Sequence, residues 1–256
     1  MKLLGLVGNP LTHSFSATYF KNKFQKEGIT DFDFQLFPLS DIKEINYLIE
    51  SKPNLIGFSV TIPYKKRIIP YLSEVDEVAS EVGAVNSVKV IRKDNKIFLK
   101  GYNTDIIGFE NTIDLLPIDK RSIKALVLGT GGASKSVVYV LGKFKIPYLL
   151  VSRTPDENQI SYNQIGKNEI ETYKLIINTT PLGMFPEVDV CPLLPYDLFT
   201  TSHFLIDLTY NPEETLFLKK GKQRGCITTN GMFMLEKQAE ASWNIWTEIK
   251  YLNKIN

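Results

Sequence analysis

Residues 124–144 read K-A-L-V-L-G-T-G-G-A-S-K-S-V-V-Y-V-L-G-K-F, an apolar strand that runs into three glycines and then a helical pattern. A strand that must turn at once into a helix restricts the fold to a few α/β arrangements. Gly129 permits the tight turn, Gly131 lets backbone N–H groups approach a pyrophosphate, and the helix N-terminus after it favours the anion. Ser134 stands where the third glycine of this fingerprint usually falls. The strand before and the helix after supply the context that the spacing alone lacks, so the segment reads as a dinucleotide-binding turn.

About 20 residues further on, an NAD site usually places Asp or Glu against the ribose hydroxyls, yet here the next strand ends L-L-V-S-R-T. Ser152, Arg153 and Thr154 offer hydroxyls and a guanidinium instead, which suit the extra phosphate of NADP(H). Asp156 and Glu157 just downstream keep NAD open as an alternative.

Apolar runs alternate with helical patterns along the whole chain, which gives the class as α/β. Strands are expected at 3–7, 32–37, 55–60, 87–91, 97–101, 124–128, 148–152, 175–178 and 204–208. Helices are expected at 16–27, 41–50, 106–115, 134–144 and 211–224, spacing that favours parallel βαβ units. The restart after Tyr102 and the length of 256 residues point to two domains. Residues 1–104, completed by C-terminal helices over 233–256, would form an N-terminal α/β substrate domain. Residues 105–232 would form a Rossmann-like cofactor domain, with a cleft between the two.

Composition removes several classes of function. The 30 Lys plus Arg nearly balance 28 Asp plus Glu and are scattered, which argues against nucleic-acid or membrane partners. Two cysteines without C-x-x-C spacing suggest neither disulfides nor a thiolate metal site, in keeping with a cytoplasmic location. With two histidines, a His-rich metal site is unavailable, no metal is expected, and proton transfer falls to Lys, Asp, Glu or Tyr. The first ten residues are too short an apolar run for a signal peptide or a span.

Polar side chains then recur at the ends of apolar strands: G-N-P-L-T-H-S-F-S at 8–16, G-F-S-V-T-I-P-Y-K at 57–65, G-A-V-N-S-V at 83–88 and G-Y-N-T-D-I-I-G-F at 101–109. In open α/β sheets those ends face the ligand crevice, and this set suits a small polyhydroxylated acid. These segments resemble the shikimate dehydrogenase family. So do N-T-T-P-L-G-M at 178–184, D-L-T-Y-N-P at 207–212 and G-M-F-M-L-E-K-Q at 231–238. The resemblance implies reversible NADPH-dependent reduction of 3-dehydroshikimate to shikimate, in the pathway to chorismate and the aromatic amino acids, by a monomer or homodimer.

Residue by residue, the resemblance assigns Lys65 and Asp105 to the proton-transfer pair. The chemistry agrees, since hydride addition to a ketone leaves an alkoxide that an ammonium can stabilise and protonate. It also implies that Ser14 and Ser16 bind the substrate carboxylate with Tyr210 nearby, while Thr61, Asn86, Asp105 and Gln238 hold the ring and its hydroxyls. For the cofactor it implies Gly129, Thr130, Gly131, Gly132 and Ala133 at the phosphates and Ser152, Arg153 and Thr154 at the ribose phosphate. Leu208, Gly231 and Glu77 fall at the nicotinamide end, with Thr179 and Thr180 lining the same cleft.

Three positions depart from the family pattern: Ser152 where Asn is frequent, Glu157 where a second basic residue often follows, and Ala17 where Pro often follows the serine pair. Taken singly, Lys65 is a surface lysine, Asp105 a helix N-cap and Arg153 a solvated charge; it is their joint presence that carries the reading. Two alternatives stay open: a quinate or shikimate dehydrogenase that prefers NAD, and a non-catalytic metabolite sensor on the same fold.

Overall fold

The computed structural model describes residues 1–11 and 15–248. It divides into two compact units, Met1–Ile107 together with the chain from Glu236 onward, and Gly108–Leu235. Asp105 therefore belongs to the first unit.

The first unit contains β1 (Lys2–Gly8), α1 (Phe15–Glu27), β2 (Phe32–Pro38), α2 (Ile45–Ser51), β3 (Leu55–Val60), β4 (Glu74–Val75), α3 (Glu77–Val82), β5 (Ser87–Lys93) and β6 (Lys96–Tyr102). Its sheet runs β2-β1-β3-β5-β6-β4. Because successive strand residues face opposite sides, Leu3 and Val7 join one buried cluster with Phe58 and Val60. Leu4 joins the other, with Phe20, Phe24, Ala239, Trp243 and Trp246. Spacings of three and four put Ala239, Trp243 and Trp246 on one face of their helix. Gly57 is what admits the indole, since a Cβ there would overlap the Trp246 ring.

Parallel pairing holds for β1 with β2 and β3, but β3–β5 and β5–β6 are antiparallel, which corrects the expectation of βαβ units throughout. For β5–β6 the cause is local: Asp94 and Asn95 both have positive φ, +52° and +57°, and form a two-residue hairpin turn whose twist matches the flanking strands.

The second unit contains β7 (Ala125–Leu128), α5 (Gly132–Lys143), β8 (Tyr148–Ser152), β9 (Gln159–Ser161), α6 (Lys167–Thr172), β10 (Leu175–Asn178), β11 (Phe204–Asp207), α7 (Leu216–Gln223) and β12 (Ile227–Thr229). Its sheet is wholly parallel, in the order β9-β8-β7-β10-β11-β12. Numbered within the unit this is 3-2-1-4-5-6, the Rossmann order, with the reversal of direction between β7 and β10. Two further helices, α4 (Asp105–Leu115) and α8 (Met232–Thr247), contain the breaks between the units. The helix expected over 211–224 begins only after Thr215, whose hydroxyl oxygen accepts the Leu218 N–H.

A buried polar knot ties the ends of β10 and β11. Asp207 accepts from Asn178 Nδ2 at 3.1 Å, Thr209 N at 3.0 Å and Thr215 Oγ1 at 2.6 Å. Asn178 Oδ1 in turn accepts from Thr180 N and Oγ1 at 3.1 and 2.6 Å. Burial holds the Asp207 carboxyl above the usual carboxylate range, with the three hydrogen bonds pulling the other way.

Two stability outcomes follow from this packing. Phe20→Ala should cost about 3–5 kcal/mol, read by urea unfolding through tryptophan emission. Both tryptophans lie in the Phe20 cluster, so this signal reports the first unit alone. A raised folded-state pKa means that the folded chain binds the Asp207 proton more tightly than the unfolded chain. The stability this group contributes therefore falls as pH rises from the ordinary aspartate value through its own. Asp207→Asn removes that slope, and its stability relative to the parent should be more favourable at about pH 7 than at about pH 4.

Candidate active site

In the first unit, three chain segments converge through backbone hydrogen bonds. Val60 N–H at the end of β3 donates to Asn86 O at 2.8 Å, and Asn86 N–H donates to Tyr102 O at the end of β6 at 3.0 Å. Asn86 thus joins the two strand ends beyond which Thr61–Lys65 and Asn103–Asp105 follow. Lys65 is anchored where Val85 N–H donates to its carbonyl at 2.8 Å, and the neighbouring Tyr64 hydroxyl donates to Leu39 O at 2.7 Å.

These anchors bring the side chains together. Lys65 Nζ donates to Asp105 Oδ2 at 2.6 Å, and Asn86 Nδ2 donates to Asp105 Oδ1 at 2.8 Å. The Lys65 side chain keeps 21% exposure against 10% for Asp105, so the ammonium is the partner that meets solvent. The orientation of the Asn86 amide is decided by chemistry: Thr104 N–H is a donor only and sits 2.6 Å from Asn86 Oδ1, which turns Nδ2 to the carboxylate. Gln238 Oε1 accepts from Asn86 Nδ2 at 3.4 Å. A carboxylate in the first turn of α4 also suits the positive end of the helix dipole.

Asp105 is the first residue of α4 rather than its N-cap. Its two oxygens are taken by Lys65 and Asn86, and Asn103 Oδ1 accepts the Ile106 N–H in its place, at 3.4 Å. Ser16 is buried on α1, and Thr61 lies half-buried just after β3. Glu77 is exposed in the first turn of α3, which Asp76 caps. Ser14 lies outside the described residues.

In the second unit, the turn after β7 lies at the reversal point of the strand order. Gly129 has φ +100°, and a Cβ there would meet Thr180 Cγ2 at 2.8 Å and Thr179 Oγ1 at 3.0 Å, so glycine is required twice over. Gly131 and Gly132 differ. Among the described residues, chain neighbours and the helix's own backbone aside, no atom lies within 4 Å of a Cβ added at either, and Gly131 has an ordinary φ of −76°. What a side chain would intrude upon is the open space before the α5 N-terminus, which has no side-chain cap. Uncapped N–H groups facing open space fit a phosphate. Thr130 is exposed and Ala133 half-buried in the same turn.

Thr179 and Thr180 spend their hydroxyl protons inside the fold, on Leu128 O at 2.7 Å and Asn178 Oδ1 at 2.6 Å. Gly231 presses on the Leu208 backbone so closely that no side chain fits, and Tyr210 is half-buried after β11. At the end of β8, Ser152 Oγ accepts the Thr154 N–H at 3.2 Å, while Arg153 and Thr154 are exposed. Among the described residues no carboxylate lies within ion-pair distance of Arg153. Asp156 turns to its own loop, accepting from Asn158 N and Gln159 Nε2. The guanidinium is therefore available to a phosphate, and the nearest aspartate is engaged elsewhere.

Sequence reasoning passed over Thr104, Asn178 and Asp207, all fully buried. Their signal was a polar residue closing or following an apolar strand, the same feature that singled out Asn86.

A family model described as the shikimate dehydrogenase substrate binding domain matches residues 6–88. A relative from Methanococcus maripaludis strain C6 named shikimate dehydrogenase (NADP(+)) is 36% identical over 266 residues, covering 96% of this chain and 91% of its own. The crystal structure of shikimate dehydrogenase 1 from Peptoclostridium difficile superposes with a TM-score of 0.83 at 35% identity, over 99% of this chain and 94% of that one. That of the Thermus thermophilus shikimate 5-dehydrogenase, in complex with NADP(H) and shikimate, gives 0.84 at 26% identity over 97% and 94%. With such identity sustained over nearly the whole of both chains, and with the same fold from end to end, the chain belongs to the shikimate dehydrogenase family.

Proposed function

We propose that this chain reduces 3-dehydroshikimate reversibly to shikimate with NADPH, the first unit holding the hydroxylated acid and the second the cofactor. The observation that carries the reading is the Lys65–Asp105 contact at 2.6 Å with Asn86 on the other carboxylate oxygen. It sets a partly exposed ammonium among buried hydroxyl-recognising groups, and the relatives' names supply the substrate and the cofactor.

When bound, NADPH supplies the hydride that adds to the ketone carbon. The carbonyl oxygen gains negative charge as it does so, and the Lys65 ammonium stabilises that charge and delivers the proton. In the oxidative direction the same nitrogen takes the hydroxyl proton back. Asp105 holds Nζ in place, and Asn86 keeps the carboxylate from turning away, so the proton carrier is oriented before substrate arrives.

Ser14, Ser16 and Tyr210 are assigned to the substrate carboxylate, and Thr61, Asn86, Asp105 and Gln238 to the ring hydroxyls, whose donor and acceptor needs these side chains can meet. The α5 N-terminus with Gly129, Thr130, Gly131, Gly132 and Ala133 would take the pyrophosphate. Ser152, Arg153 and Thr154 would take the ribose phosphate, and Leu208 and Gly231 the nicotinamide end with Glu77. Thr179 and Thr180 support Gly129 from beneath. Arg153, with no carboxylate beside it among the described residues, favours NADP over NAD.

Lys65→Ala should lower kcat with shikimate and NADP by about 10²- to 10⁴-fold while the far-UV dichroism stays that of the parent. Full activity in that variant would overturn the mechanism. Arg153→Gln should raise the KM for NADP about 10- to 100-fold and move that for NAD less than about threefold. Nicotinamide absorbance with the two cofactors in parallel reads this. Equal losses with both would remove Arg153 from the phosphate.

A further inference from the structure

Behind the Lys65–Asp105 pair lies a hydroxyl that no ligand can reach. Thr104 and Ser242 are both at 0% exposure, beneath Asn86 at 3% and Gln238 at 7%. Thr104 Oγ1 lies 3.2 Å from Asn86 Oδ1, 3.4 Å from Gln238 Oε1 and 3.0 Å from Ser242 Oγ. A hydroxyl has one proton to give. Two of its three neighbours are carbonyl oxygens that only accept, so the one Thr104 proton is shared between them in a three-centre bond and Ser242 donates into the Thr104 lone pair. Gln238 and Ser242 are four residues apart on α8 and share one helix face, which puts both within reach of Thr104.

We infer that Thr104 is a positioning residue that sets the polarity of the substrate-binding amides: with its N–H and O–H it fixes which edges of Asn86 and Gln238 point inward. Its N–H holds Asn86 Oδ1, so Nδ2 meets Asp105 and Gln238. Gln238 Oε1 then accepts from both Asn86 Nδ2 and Thr104 Oγ1, which directs the carbonyl edge inward and the Nε2 edge to the opposite side. A ligand oxygen that comes to Gln238 from that opposite side would meet its N–H edge rather than a second carbonyl. The inference rests on the substrate reading above. It adds that substrate affinity is governed from a residue outside contact range, through amide orientation. The Lys65–Asp105 contact itself does not use the Thr104 hydroxyl, so binding and turnover should respond separately.

In the full chain, Thr104→Val keeps the shape and the backbone N–H but removes the hydroxyl. It should raise the KM for shikimate about 5- to 30-fold with kcat within about threefold of the parent. Thr104→Ser, which restores the hydroxyl, should bring KM back to within about twofold. In a Gln238→Ala background the Thr104→Val penalty should shrink to less than about threefold, because the orientation being lost is that of Gln238. A parental KM in Thr104→Val, a kcat loss without a KM change, a Thr104→Ser variant as impaired as the valine, or an undiminished penalty beside Gln238→Ala would each overturn the positioning role. Should Thr104→Val not fold, Ser242→Ala removes only the proton donated into Thr104 and should raise KM about two- to fivefold; a parental KM there overturns the inference as well. A parent chain that turns over no shikimate would overturn the substrate reading and this inference together, whereas an active parent with an indifferent Thr104→Val overturns the positioning role alone.

Discussion

The peptide of Asn86 is the joint on which the first unit's chemistry depends. Its carbonyl takes the last N–H of β3 and its N–H reaches the last carbonyl of β6, so three non-adjacent stretches of chain end at one place. No sequence-local interaction could do this, since Lys65, Asn86 and Asp105 lie far apart along the chain, the first two in loops beside different strands and the third at the start of α4. Once the ladder has brought them together, the Asn86 side chain completes the arrangement by occupying the carboxylate oxygen that Lys65 leaves. The hydrogen bonds that define the fold and those that orient the Lys65 and Asp105 side chains share a residue. Loss of the amide would therefore be felt by the carboxylate, while the backbone bridge would persist.

The second unit solves a different problem by different means. The strand order of its parallel sheet reverses between β7 and β10, so the connections that leave the carboxyl ends of these two strands diverge. Gly129 closes the β7 end against Thr179 and Thr180, and the Asn178–Asp207–Thr215 knot fixes the loops after β10 and β11 from within. With those loops held by buried hydrogen bonds, the glycines that follow can leave their N–H groups uncovered. Rigidity lies below the turn, and the open space lies above it.

Much of this was legible in the sequence because polar residues at the ends of apolar runs are few and conspicuous. Lys65, Asn86 and Asp105 stand at such positions, Gln238 is reached only through the family resemblance, and the four lie in one hydrogen-bonded network. The glycine turn was readable from its spacing. What escaped was of two kinds. The antiparallel pairing of β6 with β5 depends on two left-handed residues, Asp94 and Asn95, which no apolar pattern announces. Thr104, Asn178 and Asp207 escaped because a buried polar residue is recognised by its partners, and those partners lie from two to 138 positions away along the chain. Asp105, which taken singly reads as a helix cap, opens α4 with both carboxylate oxygens engaged by side chains from other segments, Lys65 and Asn86.

The exposure of Arg153 has an evolutionary corollary. Its side chain and that of Thr154 stand on the surface beyond β8, tied to the fold by little more than the Ser152–Thr154 hydrogen bond. Substitution there removes no core contact, so on the proposed assignment the residues that would meet the ribose phosphate can change with almost no penalty to folding. The lysine, aspartate and amides of the other unit have no such latitude, because each satisfies a neighbour that burial would otherwise strand. The proposed cofactor contact is thus the part of the site that packing leaves free to vary, and the proposed proton-transfer group the part that neighbouring hydrogen bonds hold fixed.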